Sequence, residues 1–116
     1  MDDLYFIQME DGPVKIGRSA NVPSRLSSIQ CASPYKVRLL GVLVGCGDQE
    51  AEFHQLLWRH RMRGEWFKWT NLVGDVVETA LAGGDWRALK EPADPMIDNE
   101  WWVGSPLYAD RPRDAA

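Results

Sequence analysis

Two short apolar runs joined by a turn, at residues 4–7 and 14–18, constrain the fold of this chain most. Asp11 and Gly12 lie between them, and an Asp-Gly pair in that position is a strong β-hairpin signal. The length of the turn decides which side chains share a face, because a shift of one residue in the pairing turns a strand over. The register therefore controls which polar side chains can meet.

Two registers are compatible with this turn. A two-residue turn would pair Met9 with Val14 and place Tyr5 and Lys15 on opposite faces. A three-residue loop, with Gly12 as the left-handed residue of a bulge, places Tyr5 and Lys15 on one face as diagonal neighbours, roughly 7–8 Å apart. We predict this second register, which leaves room for one phosphate group. Its pairs are Met9 with Pro13, Ile7 with Lys15 and Tyr5 with Gly17.

After the hairpin, helices and strands alternate. Asn21 is a good N-cap for a helix over residues 22–30. The largely apolar residues 35–44 predict a strand in the centre of the sheet. Asp48 then predicts the N-cap of a helix of about fourteen residues. The whole pattern predicts an α+β fold, with a small central antiparallel sheet of three or four strands flanked by helices in the order ββαβαβα.

The fourteen-residue helix carries the most informative polar side chains. At about 100° per residue, Phe53 and Leu57 face the sheet, and Glu50, His54 and Arg61 lie along one edge. One edge of a single helix would therefore present a carboxylate, an imidazole and a guanidinium.

The end of that helix is predicted from its charges and from a glycine. Arg61 and Arg63 would lie near the negative end of the helix, which favours cations, and both can contact a nucleic-acid backbone. Gly64 is a plausible C-cap, and residues 65–69 predict a short last strand. Thr70 or Asn71 would then cap a third, amphipathic helix.

The charge is unevenly distributed. The 116 residues carry a net charge of −4, yet residues 12–72 hold nine basic and four acidic residues. A local basic face is therefore compatible with an acidic protein, and we expect weak, salt-sensitive binding to DNA. We divide the chain into a domain at residues 1–83 and an acidic, mostly irregular tail at residues 84–116, which contains proline and tryptophan.

No apolar run approaches the ~20 residues that a membrane span needs, and the acidic start lacks the basic residues of a signal peptide. Cys31 and Cys46 have no metal-type spacing and are expected to be free thiols in a reducing compartment. These features predict a cytoplasmic protein without membrane contact.

The hairpin resembles the GIY-YIG nuclease family, in which two short motifs lie on adjacent strands. The first motif here is Asp3-Leu4-Tyr5 and the second is Lys15-Ile16-Gly17. Arg25 follows at the family's spacing, and so does a helix that contains Glu50 and His54. A compact phage and bacterial branch carries KIG for YIG, and it also has the motif found here as Gly64-Glu65-Trp66-Phe67. The resemblance covers residues 3–82.

The resemblance implies a metal-dependent endonuclease that hydrolyses DNA phosphodiester bonds with a single Mg²⁺ or Mn²⁺ held by Glu50. Arg25 would bind non-bridging phosphate oxygens, Tyr5 would orient the attacking water, and Arg18 would hold a neighbouring phosphate. His54 would either help to position Glu50 or contact the substrate, unless it is only structural.

Lys15 stands where relatives have a tyrosine. As a general base it would need a pKa about three units below its usual value, a cost of about 4 kcal/mol, so we predict a charged Lys15 that stabilises the transition state. The alternative function is a catalytically degenerate module that binds DNA or protein. A further alternative is a protein partner bound through Trp101-Trp102 in the tail, and the oligomeric state is open.

Overall fold

A computed structural model describes residues 1–10 and 12–90 of the chain. In this part, five strands form one antiparallel sheet, and helices lie against it. The predicted α+β class is confirmed, and the sheet has five strands where three or four were expected. In chain order the elements are β1 (Asp3–Met9), β2 (Val14–Ser19), α1 (Val22–Ala32), β3 (Val37–Leu43), α2 (Glu50–Leu56), β4 (Arg61–Arg63), β5 (Trp66–Phe67) and α3 (Asn71–Leu81).

The hairpin of β1 and β2 has the predicted register. Tyr5 lies opposite Gly17, and Ile7 lies opposite Lys15. The amide of Met9 donates a hydrogen bond to the carbonyl of Pro13 at 2.9 Å, as a three-residue loop requires. Asp11 lies outside the described residues, so the predicted left-handed conformation of Gly12 stays a prediction.

Alternate side chains of the hairpin enter two different apolar layers. Leu4 and Phe6 join a large cluster with α2 and α3, whereas Tyr5 and Ile7 join a smaller one with α1. This alternation follows from the two-residue period of a strand. The hairpin is therefore covered on both faces, and it lies in the middle of the sheet, whose order is β3-β1-β2-β5-β4.

β3 is an edge strand, so its predicted central position is wrong. It pairs with β1 alone among the described strands, because β2 occupies the other side of β1. Its apolar residues are partly covered by helices on each face, and Leu39 remains 40% exposed. In β3, therefore, a continuous apolar run reflects partial burial of both faces of the strand and does not indicate a central position in the sheet.

The predicted fourteen-residue helix is wrong in length. α2 has seven residues, Asp48 lies in a short 3₁₀ turn before it, and Gln49 occupies the N-cap without a side-chain hydrogen bond. After Leu57 the chain tightens into a second 3₁₀ turn, and Arg61 begins β4. Pairing of β4 with β5 overrides helix propensity in this segment, because it satisfies backbone groups that the helix would otherwise have used.

Gly64 does not cap a helix. It lies in the turn between β4 and β5 with a φ of +58°, a left-handed conformation that favours glycine. The sequence correctly marks a special backbone position but assigns it to the wrong element.

The caps of the two longer helices are as predicted. Asn21 accepts a hydrogen bond from the amide of Ser24 at 3.1 Å, and Thr70 accepts one from the amide of Val73 at 3.3 Å. α1 packs its apolar stripe on the face of Tyr5, and α3 buries most of its apolar face in the large cluster.

The sequence analysis places the end of the domain at residue 83, but the packed part of the chain continues beyond that residue. Trp86, in a 3₁₀ turn (Trp86–Ala88), is 5% exposed and stacks on Phe53 with ring centroids 3.6 Å apart. The prediction for Trp101-Trp102 lies outside the described residues. Within residues 1–10 and 12–90, no helix has the length and apolar character required to cross a membrane.

Candidate active site

The base of the candidate site is formed where Tyr5 on β1 lies opposite Gly17 on β2. Tyr5 is fully buried, and its hydroxyl lies 2.5 Å from the position that a Cβ on Gly17 would take. A carboxylate oxygen of Glu65 lies 2.8 Å from the same position. Any side chain at position 17 would displace one of these groups, so glycine is required there for space.

The buried Tyr5 hydroxyl makes no hydrogen bond of ordinary geometry within the described residues. Burial, followed by the negative charges of Glu65 and Glu50, raises the pKa of Tyr5 to about 12. Arg25 acts in the opposite direction from nearby. The phenol is therefore neutral at neutral pH and can orient a partner by hydrogen bonding.

Lys15 reaches the site from β2 and pairs with Glu65. Its Nζ lies 3.2 Å from Glu65 Oε1 and 5.6 Å from the centroid of the Trp66 ring. A carboxylate and an indole face each attract a cation, so both contacts hold the end of the Lys15 side chain in the site. Glu65 lies in the turn just before β5, and Trp66 is the first residue of that strand.

Glu50 begins α2 and directs its carboxylate to the same place. Its Oε2 is buried and has no hydrogen-bond partner among the described residues. Burial and the neighbouring Glu65 raise the pKa of Glu50 to about 7, while Arg18 and Lys15 act in the opposite direction. A neighbouring carboxylate raises the proton affinity of Glu50 in this way, and a bound cation would replace the proton.

His54 lies one helical turn after Glu50 and is attached to the backbone of β2. Its Nε2 lies 2.8 Å from the carbonyl oxygen of Ile16; the carbonyl can only accept, so Nε2 carries the proton. Burial lowers the pKa of His54 and keeps the ring neutral. The residues of β2 that pair with β5 are Val14 and Lys15. His54 donates to the carbonyl of Ile16, which is the next residue after that pairing.

The arginines occupy different distances from this centre. Arg25 is exposed on α1 and, with Lys15, lines an open groove of about 520 Å³. Arg18 is exposed, and its Nε donates to Asp2 at 2.9 Å while its charge acts on Glu50. Arg61 donates to the carbonyl of Gly64 at 2.6 Å and lies near His54. Arg63 is exposed on β4, at the edge of the sheet.

Comparison with known families identifies the domain. Residues 4–82 match the T5orf172 domain, which is more than half of the chain. The chain belongs to the T5orf172 domain family. This family is phage-associated and is linked in general to endonuclease-like proteins. No curated protein and no solved structure gives a significant match.

The T5orf172 match contains every predicted site residue. The fold brings Tyr5, Lys15, Glu50 and His54 together, with Arg25 and Arg18 at the rim and Arg61 close to His54. Arg63 lies farther out. The functional candidate that the sequence analysis misses is Glu65. It belongs to the motif Gly64-Glu65-Trp66-Phe67, but nothing in the sequence places its side chain near Lys15 and Glu50.

Proposed function

We propose that this T5orf172 domain is a metal-dependent endonuclease that hydrolyses DNA phosphodiester bonds by a GIY-YIG-type mechanism with a single ion. The observation that carries the proposal is the position of Glu50. Its buried carboxylate oxygen, which has no hydrogen-bond partner within residues 1–10 and 12–90, lies near Tyr5 and Lys15, with Arg18 and Arg25 at the rim. A phosphodiester in this site would meet the positive charge and hydrogen-bond donors that its transition state requires.

The donor set fits a hard divalent cation such as Mg²⁺ or Mn²⁺. Glu50 offers an oxygen without a hydrogen bond, and Glu65 is the second carboxylate near it. Within residues 1–10 and 12–90, no group of three or more His, Cys, Asp or Glu side chains is arranged to hold a metal. Magnesium sites for phosphoryl chemistry commonly use one or two carboxylates, with water and phosphate oxygens as the other ligands. When bound, the ion would supply positive charge against the charge that develops on the phosphate and the leaving oxygen.

The roles of the protein side chains follow from their charge states. Lys15 and Arg25 stabilise the extra negative charge that the phosphate gains on attack. Tyr5, with a pKa of about 12, holds the attacking water by a hydrogen bond and does not take its proton at neutral pH. His54 supports Glu50 through the attachment of α2 to β2.

DNA would be bound mainly through its backbone. Arg18, Arg61 and Arg63 are the proposed phosphate contacts, outside the reacting centre. Few contacts of this kind predict an affinity that is modest and falls steeply as the salt concentration rises.

Nicking of supercoiled plasmid tests this function. The wild-type protein with Mn²⁺ or Mg²⁺ should convert the plasmid to the open circular form, and Glu50→Ala should lose about a thousandfold in rate, or about 4 kcal/mol. Glu52→Ala is the matched control, because Glu52 lies on the same helix but is exposed and paired with Arg87. Wild-type nicking that does not exceed the level of Glu50→Ala would overturn the proposal.

One observation favours a second candidate, a DNA-binding module without turnover. Tyr5 is fully buried, so a substrate reaches its hydroxyl only if the neighbouring side chains move. A protein of this kind would shift DNA in a gel at low salt and leave the plasmid intact with either metal.

A further inference from the structure

Glu65 is the side chain at which the contacts of the site meet. Its Oε1 pairs with Lys15 at 3.2 Å and lies beside the Tyr5 hydroxyl over Gly17. Its charge also acts on the carboxylate of Glu50, which points into the same part of the site.

Two carboxylates this close repel each other unless positive charge lies between or beside them. Lys15 supplies one such charge, and its contact is with Glu65. Glu50 Oε2 stays buried without a partner among the described residues. One negative charge of the pair therefore has no direct neutralising contact.

A second, independent feature points into the same space. Tyr5 is 0% exposed, and its hydroxyl is the other buried side-chain oxygen or nitrogen without a hydrogen bond of ordinary geometry among the described residues, although Arg25 acts on it from nearby. Buried polar atoms are nearly always satisfied, so two such atoms at one place call for a ligand between them. Carboxylate oxygens and a hydroxyl together match a hydrated hard cation.

We propose that Glu65 and Glu50 form a two-carboxylate site for one divalent cation, with the Tyr5 hydroxyl directed at the water bound there. This inference rests on the proposed function, because it names a second ligand for the ion that the reaction uses. Glu65 then has two partners, the ammonium of Lys15 and the ion. The ion and the cationic Lys15 are positioned relative to each other by one side chain.

The rival explanation is that Glu65 only holds Lys15. Binding of Mn²⁺ in the absence of DNA separates the two, with free Mn²⁺ followed by electron paramagnetic resonance at pH 7.5. Glu65→Gln should weaken Mn²⁺ binding at least about tenfold, because one charged ligand is lost. Lys15→Met should bind Mn²⁺ as tightly as the wild type or more tightly, because a repelling charge is removed. Glu52→Gln, an exposed carboxylate change on α2, should have no effect.

Two outcomes overturn the proposal: Glu65→Gln binding Mn²⁺ within about twofold of the wild type, or a wild type that binds no Mn²⁺ at millimolar concentration. These measurements need no DNA, so they fail or succeed separately from plasmid nicking. A wild type that binds Mn²⁺ through both carboxylates and never nicks would contradict the proposed function alone.

A measurement on the unaltered protein guards against a variant that does not fold. Titration with Mg²⁺, followed by the side-chain carboxyl ¹³C signals, should move the signals of Glu50 and Glu65 with one common midpoint. The Glu52 signal should stay in place. Movement of the Glu50 signal without that of Glu65 would assign the ion to a single carboxylate and exclude the two-carboxylate site.

Discussion

The two faces of the hairpin differ in what they bury. The face of Leu4 and Phe6 belongs to an apolar cluster that has thirteen buried members among the described residues, contributed by strands, by α2 and the residue after it, by α3 and by Trp86. The face of Tyr5 and Ile7 belongs to a cluster of four buried residues, with charged side chains next to it. The same two strands therefore stabilise the fold on one face and carry the candidate chemistry on the other.

The difference follows from the alternation of strand side chains. Val14 and Ile16 point into the large cluster, and the residues between and after them, Lys15 and Gly17, point to the opposite face. A rigid apolar layer beneath a polar site limits the movement of the side chains that form it, as precise positioning of a reacting group requires. The comparison predicts that stability and chemistry respond to different substitutions.

Truncation within the large cluster should have the largest effect on stability. Phe53 is 0% exposed, and its ring stacks on Trp86 and meets the edge of Phe6. Phe53→Ala should lower the free energy of unfolding by about 3–5 kcal/mol, because it removes apolar contacts and leaves a cavity. Ile29→Ala, in the half-buried stripe of α1, should cost less than about 2 kcal/mol. Urea unfolding monitored by circular dichroism measures both, and equal costs would contradict the division between the faces.

Adding a methyl group at a glycine on each face of the sheet should give a second, smaller difference in stability. Gly17→Ala would place a Cβ 2.5 Å from the Tyr5 hydroxyl and 2.8 Å from a Glu65 carboxylate oxygen, and the fully buried Tyr5 ring cannot turn away as readily as the partly exposed Glu65 side chain. It should cost about 1–3 kcal/mol of stability, and nicking should fall about a hundredfold as the site is displaced. Gly41→Ala would meet the δ-methyl groups and Cγ of Leu81, a flexible and only partly buried side chain, so it should cost less stability than Gly17→Ala.

Thermal unfolding and plasmid nicking of both glycine variants provide the measurement. Gly17→Ala with wild-type activity would mean that Tyr5 and Glu65 have room to move. The close approach over Gly17 would then have no role in the site.

The sequence predicts local features well and long-range pairing poorly. The register of the hairpin and the caps Asn21 and Thr70 depend on neighbouring residues, and all three are confirmed. The central position of β3 and the length of the Asp48 helix depend on distant strands, and both predictions are wrong. A segment such as residues 58–63 has charges that suit a helix end, yet pairing with β5 decides its structure.

The candidate site divides in the same way. Tyr5 and Lys15 share a face because the turn dictates it, so the hairpin alone predicts their association. Glu50 reaches them from a helix some thirty-five residues later, and the family resemblance supplied that expectation. Glu65 depends on the pairing of β5 with β2, which has only two residue pairs and no sequence signal of its own.

The pH dependence of stability should show the most selective difference between the site and the solvated surface. The pKa of Glu50 is raised to about 7 from 4.5, so between these values the folded protein keeps a proton that the unfolded chain has lost. Rising pH therefore lowers the free energy of unfolding across this window and leaves it unchanged above. The amide introduced by Glu50→Gln cannot titrate. The free energy of unfolding of the wild type minus that of Glu50→Gln should therefore fall as the pH rises from about 4.5 to about 7. His54 is present in both proteins, and its own titration largely cancels in the difference.

Glu52 on the same helix should give the opposite sign. Arg87 lowers the pKa of Glu52, so this carboxylate contributes stability that is present at neutral pH and is lost on acidification through its folded pKa. The free energy of unfolding of the wild type minus that of Glu52→Gln should be constant from pH 5 to 8 and should fall only in more acidic solution. Thermal melts at unit pH steps measure both differences. A Glu50 difference that is flat between pH 5 and 7 would mean that the carboxylate of Glu50 is solvated like that of Glu52, and the physical contrast between the site and the surface of α2 would be lost.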